Sequence, residues 1–407
     1  MALIVKKFGG SSVADAECIR RVARRIAEAY SAGHSVVVVL SAQGDTTDEL
    51  IEKAKELNPE PSRREMDMLL STGEQISISL MAMTLEQMGL PVVSLTGWQI
   101  GMQTNEDYGS ARINRVTATR IKTEIDRRRI VIVAGFQGIN KFDDITTLGR
   151  GGSDTTAVAI AASLKADVCQ IYTDVEGVFT SDPRKVPGAR KLEEITYDEM
   201  LELASLGAQV LHNRSVELAK RYGVNLEVLS SVEKKPGTKV KEVVKKVEQM
   251  AISGVARDLD VARIALVGLR NEPGIAYKIF RELGKAKINV DLILQSIGRG
   301  RDLSETKDIS FTVPRSDLEL AVKTLEENKD ALAYEQLDTN DKVAKISIVG
   351  AGMMAASGVA AQMFEALYEA KVNISMISTS EIKVSVLVDE KEAQRAVDAI
   401  HAKFFGE

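Results

Sequence analysis

Ala2-Leu3-Ile4-Val5-Lys6-Lys7-Phe8-Gly9-Gly10-Ser11-Ser12 is the stretch whose order of residue types decides the fold. Ala2–Val5 reads as a strand. The chain then passes through lysine into a glycine pair and two hydroxyls. Val13–Ala32 follows with apolar residues on one face and Arg, Glu and Asp on the other, the pattern of an amphipathic helix. A strand that turns through glycines into a helix is the first half of a βαβ unit. Working outward, Val36–Leu40 is a β-branched run that suits a buried strand. Arg63–Met88 reads as helix, Val92–Leu95 as strand, Ala111–Arg128 as helix, Ile130–Ala134 as strand, Asp154–Leu164 as helix and Val168–Thr173 as strand. Such alternation predicts an α/β sandwich with a mostly parallel central sheet. Ligands of such sheets bind beyond the carboxyl ends of the strands, where the glycine-rich turns of this sequence fall.

The remaining bulk properties narrow the class. A chain of 407 residues allows two or three domains, and 44% hydrophobic with 27% charged residues is ordinary for a globular protein. A formal net charge of −5, with no long Lys/Arg block, argues against nucleic acid as a partner. Anionic ligands must be held by local positive groups. Cys18 and Cys169 lie far apart in no paired motif, which argues against a disulfide framework and a cysteine zinc site. Met1–Gly10 lacks the pattern of a signal peptide, and the longest apolar stretches, such as Ser35–Leu40, are too short to cross a membrane. No membrane partner and a cytoplasmic location are expected.

The texture changes near residue 235. Lys234-Lys235-Pro236-Gly237-Thr238-Lys239 is a turn followed by the charged stretch Lys241–Glu248, so a first domain over 1–245 is expected. Beyond it lies an internal repeat. Arg263–Gly268 matches Lys345–Gly350, and Gly274, Ala276, Phe280, Leu283, Ala286, Lys287 and Asn289 recur as Gly358, Ala360, Phe364, Leu367, Ala370, Lys371 and Asn373. Each copy reads strand, helix, strand, strand, helix, giving expected modules over 263–338 and 343–407. Sheets that small have exposed edges, and two copies packed together protect each other.

Three segments carry candidate chemistry. In Lys7-Phe8-Gly9-Gly10-Ser11-Ser12 the glycines let the backbone approach a phosphate, the helix amino terminus offers free N–H groups, and the lysine adds a full charge. On its own, such a turn is also a common strand–helix connection. Leu148–Thr156 places Arg150, Gly151, Gly152, Ser153 and Asp154 at a second helix start. Arginine suits bidentate carboxylate recognition. An aspartate beside phosphates would repel them unless it orients a lysine, or it simply caps its helix. The third segment, Tyr172–Arg184, runs from a strand into a polar loop that suits a nucleotide pocket or a solvated turn. There is no Gly-x-x-x-x-Gly-Lys-Ser/Thr loop and no protein-kinase signature. His34, His212 and His401 have no metal or triad spacing and read as ordinary surface or core residues.

At these residues the chain resembles the aspartate kinases of the amino-acid kinase family. Lys7-Phe-Gly-Gly-Ser-Ser12, Val39-Leu-Ser-Ala42, Ser71-Thr-Gly-Glu74, Arg150-Gly-Gly-Ser-Asp154 and Tyr172-Thr-Asp-Val-x-Gly-Val178 stand in the family's order. The repeat resembles paired ACT modules. The resemblance implies ATP with Mg²⁺, L-aspartate as phosphoryl acceptor, and lysine and/or threonine as effectors. It assigns charge neutralisation to Lys7, its orientation to Asp154, the substrate α-carboxylate to Arg150 and the α-ammonium to Glu74. Ser41, Thr47, Gly151, Gly152 and Ser153 would complete the substrate site. Phe8, Gly9, Gly10, Ser11 and Ser12 would cradle phosphates, and Thr173, Asp174, Phe179, Thr180, Asp182, Pro183 and Arg184 would line the nucleotide pocket.

For effectors it points to Asn271, Gly274, Ile275, Ala276, Asn289, Asp291 and Gln295 in the first module and Asn373, Ile374, Ser378 and Thr379 in the second. A strand within 249–258 would complete the second module, and the modules would join a homodimer, a higher homo-oligomer or a separate regulatory subunit. The sequence departs from the family pattern at Gln43, at Phe179, and at Ala356-Ser357-Gly358, which stands where the first module has Glu272-Pro273-Gly274. Two alternatives stay open: a kinase of another amino acid, such as a glutamate or acetylglutamate kinase, and a non-catalytic amino-acid sensor.

Overall fold

The computed structural model describes residues 1–206, 210–243, 251–297, 306–354 and 356–406. They form two compact units. The first contains Met1–Phe179, Lys191–Ser205 and the described residues 210–243; the second contains Thr180–Arg190 and most of the chain beyond 245.

The first unit is organised on an eight-stranded sheet: β1 (Leu3–Phe8), β2 (Ser35–Leu40), β3 (Val92–Leu95), β4 (Ile130–Ala134), β5 (Val168–Thr173), β6 (Glu194–Thr196), β7 (Leu226–Ser230) and β8 (Thr238–Lys241), in the spatial order β6-β8-β7-β5-β1-β2-β4-β3. β1 pairs in parallel with both β2 and β5, and the parallel ladder continues through β4, β3 and β7. β8 reverses direction against β7, and β6 follows β8. β2 is buried almost from end to end, because helices cover both faces of a parallel sheet. On one face α1 (Ala16–Ser31) and α3 (Arg63–Gln87) pack Ile19, Val22, Ile26, Ile78, Met81 and Leu85 against Phe8, Val36, Val38, Leu40, Ile130 and Ile132. On the other, α5 (Gly152–Leu164) lies on β1, β2 and β5.

The two-residue period of β1 then separates its two lysines. Phe8 points into the α1 face, so Lys7 points to α5. Lys6 shares the α1 face, buried, with its ammonium donating to Gln170 Oε1 at 2.7 Å and Tyr172 Oη at 2.9 Å. Burial lowers its pKa to about 8.

Two expectations need correction. Ala111–Arg128 is not one helix. Ile113–Val116 is a strand paired antiparallel with Met102–Thr104, part of a small second sheet with Gln137–Ile139 and Ile145–Thr147; only Thr119–Asp126, α4, is helical. Ala118, at φ 49°, makes the left-handed break between them. The β-branched Ile113 and Val116 found a partner strand that periodicity alone does not reveal. The helix expected from Val13 begins at Ala16, after a 3₁₀ turn over Gly10–Val13, because the Asp15 carboxylate accepts the Cys18 N–H at 2.8 Å and caps it there.

The second unit holds two similar modules. The first has β10 (Ala262–Arg270), α8 (Ile275–Lys285), β11 (Ile293–Ile297), β12 (Thr306–Val313), α9 (Leu318–Glu327) and β13 (Gln336–Asn340), with sheet order β11-β12-β10-β13. The second has β14 (Val343–Val349), α10 (Val359–Glu369), β15 (Met376–Thr379), β16 (Lys383–Asp389) and α11 (Ala393–Phe405), and its fourth strand is β9 (Gly254–Asp258), antiparallel to β14. A strand that precedes the first module therefore completes the second, and the two interleave. Residues 249 and 250 of the stretch considered for that strand lie outside the described residues. Both α8 and α10 begin at a left-handed glycine, Gly274 and Gly358, so the change from Pro273 to Ser357 leaves the turn intact. Val261, Leu292, Val343, Met376 and Leu387 form an apolar cluster joining the modules, and edge strands β11 and β15 are neighbours.

Candidate active site

The carboxyl ends of β1 and β2 assemble the candidate groups of the first unit. Lys7 Nζ lies 2.7 Å from Asp154 Oδ1, with both side chains mostly buried. Asp154 sits in the first turn of α5, where the helix amino terminus favours a carboxylate. The Lys7 ammonium lies along the Gly9 backbone, 3.5 Å from where a Cβ would stand. The loop after β2 wraps the glycine turn: Ser41 N–H donates to Phe8 O at 3.2 Å and Gly44 N–H to Gly10 O at 3.1 Å. A Cβ on Gly10 would meet Ala42 O at 2.7 Å, so only glycine allows that approach. Ser12 is buried, and its Oγ has no hydrogen-bond partner; Ser11 is exposed.

Glu74 lies within α3 and is buried. Its Oε1 accepts the Ala42 N–H at 3.2 Å, while Oε2 has no partner. Burial pushes its pKa up to about 7. α3 and the Ala42 loop are in close contact because a Cβ at Gly73 would stand 2.8 Å from Ala42 Cβ. Thr47 lies in the first turn of α2 (Thr46–Leu57) on the same loop, and Arg150 is exposed at the turn before α5, beside buried Gly152 and Ser153. The arrangement combines a lysine–aspartate pair, two glycine-bearing turns at helix starts, and a buried carboxylate with an unpaired oxygen. It suits a zwitterion and a phosphate chain side by side.

At the end of β5, Thr173 Oγ1 donates to Asp174 Oδ1 at 3.0 Å, and Phe179 bridges to Lys191. The rest of the third segment belongs to the second unit. There Thr180 is buried, its hydroxyl 2.9 Å from His401 Nε2 and also accepting the Arg190 N–H at 2.9 Å. That hydroxyl is occupied within the protein. Asp182 pairs with the Arg184 guanidinium, and Val186 enters the apolar core of the second module.

Among the effector candidates, Gln295 lies on β11, Ser378 and Thr379 on neighbouring β15, and Asn289 and Asn373 at matching exposed turns. Ile275 is buried and Gly274 caps its helix. Asp291 is not an open ammonium site, since Lys345 Nζ holds it at 2.5 Å while also lying 3.2 Å from Asp258.

Sequence reasoning missed three residues. His212, read as ordinary, lies against Gly151. Arg214 donates to Leu148 O at 2.5 Å and Ala111 O at 2.9 Å. Asp67 accepts from Gly109 N–H, Thr147 N–H and the Thr147 hydroxyl. None belongs to a glycine-rich segment; the only hint at Asp67 is a charge on an otherwise buried helix face.

Known proteins resemble this chain over nearly its whole length. The amino acid kinase family model matches residues 2–230 and the ACT domain model residues 264–328 and 346–404. The aspartokinase of Bacillus sp. (strain MGA3) is 50% identical over 404 residues, covering 99% of this chain and 97% of the relative. The chain belongs to the amino acid kinase family, among the aspartate kinases that carry ACT domains. As such it is an ATP-dependent kinase. The crystal structure of E. coli aspartokinase III in complex with aspartate and ADP (R-state) is similar with a TM-score of 0.84 and 26% identity, covering 99% of this chain and 100% of that one. The same enzyme in complex with lysine and aspartate (T-state) gives a TM-score of 0.77 at 26% identity, covering 99% of each chain. Among the described residues no helix is long and apolar enough to cross a membrane.

Proposed function

We propose that this aspartate kinase transfers the γ-phosphoryl group of MgATP to the β-carboxylate of L-aspartate, giving 4-phospho-L-aspartate, the first step towards lysine, threonine and methionine. The observation that carries the choice of an amino acid is Glu74, a buried carboxylate with one oxygen unpaired. A buried charge demands a partner, and a substrate α-ammonium supplies it. Arg150, exposed at the neighbouring turn, takes the α-carboxylate in bidentate fashion. Ser41, Thr47, Gly151, Gly152 and Ser153 complete that side of the site.

The chemistry follows from charge. The substrate β-carboxylate is already ionised near neutral pH, so an oxygen of it attacks the γ-phosphorus with no proton to remove. The bond from phosphorus to the β,γ-bridging oxygen breaks, and ADP leaves with the electron pair. The protein must position the reactants and neutralise charge on the transferring group. Lys7, held by Asp154 at 2.7 Å, does the second. Gly9, Gly10, Ser11 and Ser12, following Phe8, receive the phosphates, with Thr173, Asp174 and Phe179 on the nucleotide side. Magnesium arrives with the triphosphate as part of the substrate.

The paired ACT modules support feedback by lysine and/or threonine, with Gln295, Asn289, Ser378 and Thr379 as contacts. The partly exposed Ile293, Leu294 and Ile377 on edge strands β11 and β15 support joining to a second copy or a separate regulatory subunit. The test is ADP release from MgATP and L-aspartate, with lysine, threonine or both added. Aspartate-dependent turnover suppressed by an effector is expected. Turnover with glutamate or acetylglutamate but not aspartate would sink the substrate assignment, and amino-acid binding without turnover would favour the sensor.

A further inference from the structure

The loop that joins the small sheet to α5 is backed by a histidine. A Cβ on Gly151 would stand 2.2 Å from His212 Cγ, 2.3 Å from His212 Cβ and 2.6 Å from Cδ2, so the imidazole lies directly on the Gly151 backbone. Gly151 is at φ 66° and is the amino-terminal cap of α5, three residues before Asp154. His212 is itself the cap of α7 (Asn213–Tyr222). Its Nδ1 accepts the Arg214 N–H at 3.3 Å, which places the neutral ring's proton on Nε2. Two residues on, the Arg214 guanidinium holds Leu148 O and Ala111 O. The start of α7 therefore grips the 148–152 loop at both ends.

We propose that His212 is a positioning residue for phosphoryl transfer: its neutral ring fixes the Gly151 peptide, and through it the placement of Arg150 and Asp154. The inference rests on the aspartate kinase reading above. Its physical content is a switch in hydrogen bonding. Protonating Nδ1 turns an acceptor into a donor facing the Arg214 N–H, so the imidazolium cannot keep the cap. The charged groups that bear on the ring are Asp154 on α5, which favours the cation, and Arg214 on α7, which opposes it, with Arg112 acting on Arg214 in turn; burial outweighs Asp154 and holds the ring neutral. Lys7 on β1 faces the same Asp154. When the ring charges and leaves the cap, the glycine loop loses its backing, and Arg150 and Asp154 lose the placement that it gives them.

The test separates positioning from mere stability. His212→Asn keeps a side-chain acceptor for the cap, loses the ring, and does not titrate. It should fold with a near-normal unfolding midpoint. Its kcat/KM for aspartate should fall roughly 10- to 100-fold, the scale of an ångström-sized misplacement, with the KM for ATP less affected than the KM for aspartate. Wild-type kcat/KM should show two ionisations on its acid side, one from Glu74 and one from His212, and the variant only one. A second measurement needs no variant. The chain has three histidines, so NMR of ring-labelled wild-type enzyme can follow His212, and its midpoint should coincide with one of the two kinetic values. A His212→Asn enzyme with normal aspartate kinetics and both ionisations, or a His212 midpoint that matches neither, overturns the proposal. Absence of aspartate turnover in the wild type would instead overturn the functional reading on which it rests.

Discussion

Replacing Glu74 by glutamine should stabilise the free protein at alkaline pH while weakening its use of aspartate. Burial raises the Glu74 pKa from 4.5 to about 7. Between those values the folded state keeps a proton that the unfolded state has released, so stability falls as pH rises through that window. At about 1.4 kcal/mol per pKa unit, ionised Glu74 costs the folded wild type roughly 3 kcal/mol above pH 7 and nothing below 4.5. Glutamine mimics the protonated acid: its Oε1 can accept the Ala42 N–H and it carries no charge. Urea unfolding of ligand-free wild type and Glu74→Gln should therefore give equal free energies near pH 4.5 and diverge towards pH 8, with the variant more stable. The KM for aspartate should rise about 10- to 100-fold, the worth of a hydrogen bond to a charged group. One ionisation should vanish from the acid side of the kcat/KM profile. Unfolding curves that run parallel across pH would mean Glu74 is not desolvated. A stabilised variant with unchanged aspartate KM would mean its free oxygen faces something other than the substrate ammonium.

Lys7→Ala should lower kcat by about 10²–10³, the usual effect of deleting one transition-state charge donor, in an ADP-release assay. Its circular dichroism should stay native, because the first turn of α5 still favours Asp154; normal turnover would remove Lys7 from the reaction. Gln295→Ala should raise the effector concentration needed for half-inhibition and leave uninhibited turnover intact, since the side chain is exposed on β11; an unchanged inhibitor titration would take it out of the effector site. Gly151→Ala must adopt φ 66° against the His212 ring, so thermal unfolding should show a loss of about 1–3 kcal/mol, and activity should fall with it.

What the sequence revealed, and what it hid, divides by the range of the interactions. The parallel sheet was legible because burial of both faces writes unbroken runs such as Val36–Leu40. The Lys7–Asp154 pair was legible through the family resemblance, which assigns the orientation of Lys7 to Asp154; the residues alone place Lys7 before one glycine-bearing turn and Asp154 after another. Ile113–Val116 was not, because a short edge strand is fixed by its partner Met102–Thr104, and nothing local announces that pairing. The same limit hid His212. As a lone histidine before a helix it carries no spacing signal, and its importance arises only when α7 lies across α5 and brings the ring onto a glycine 61 residues earlier. Thr180 shows the converse case. Its motif points to a nucleotide, yet its hydroxyl bonds His401, 221 positions away, inside the second unit. The chain from Phe179 to Lys191 thus leaves the first unit for Thr180–Arg190 and returns. A motif fixes which chemistry is near; long-range packing decides which of its atoms remain free to perform it.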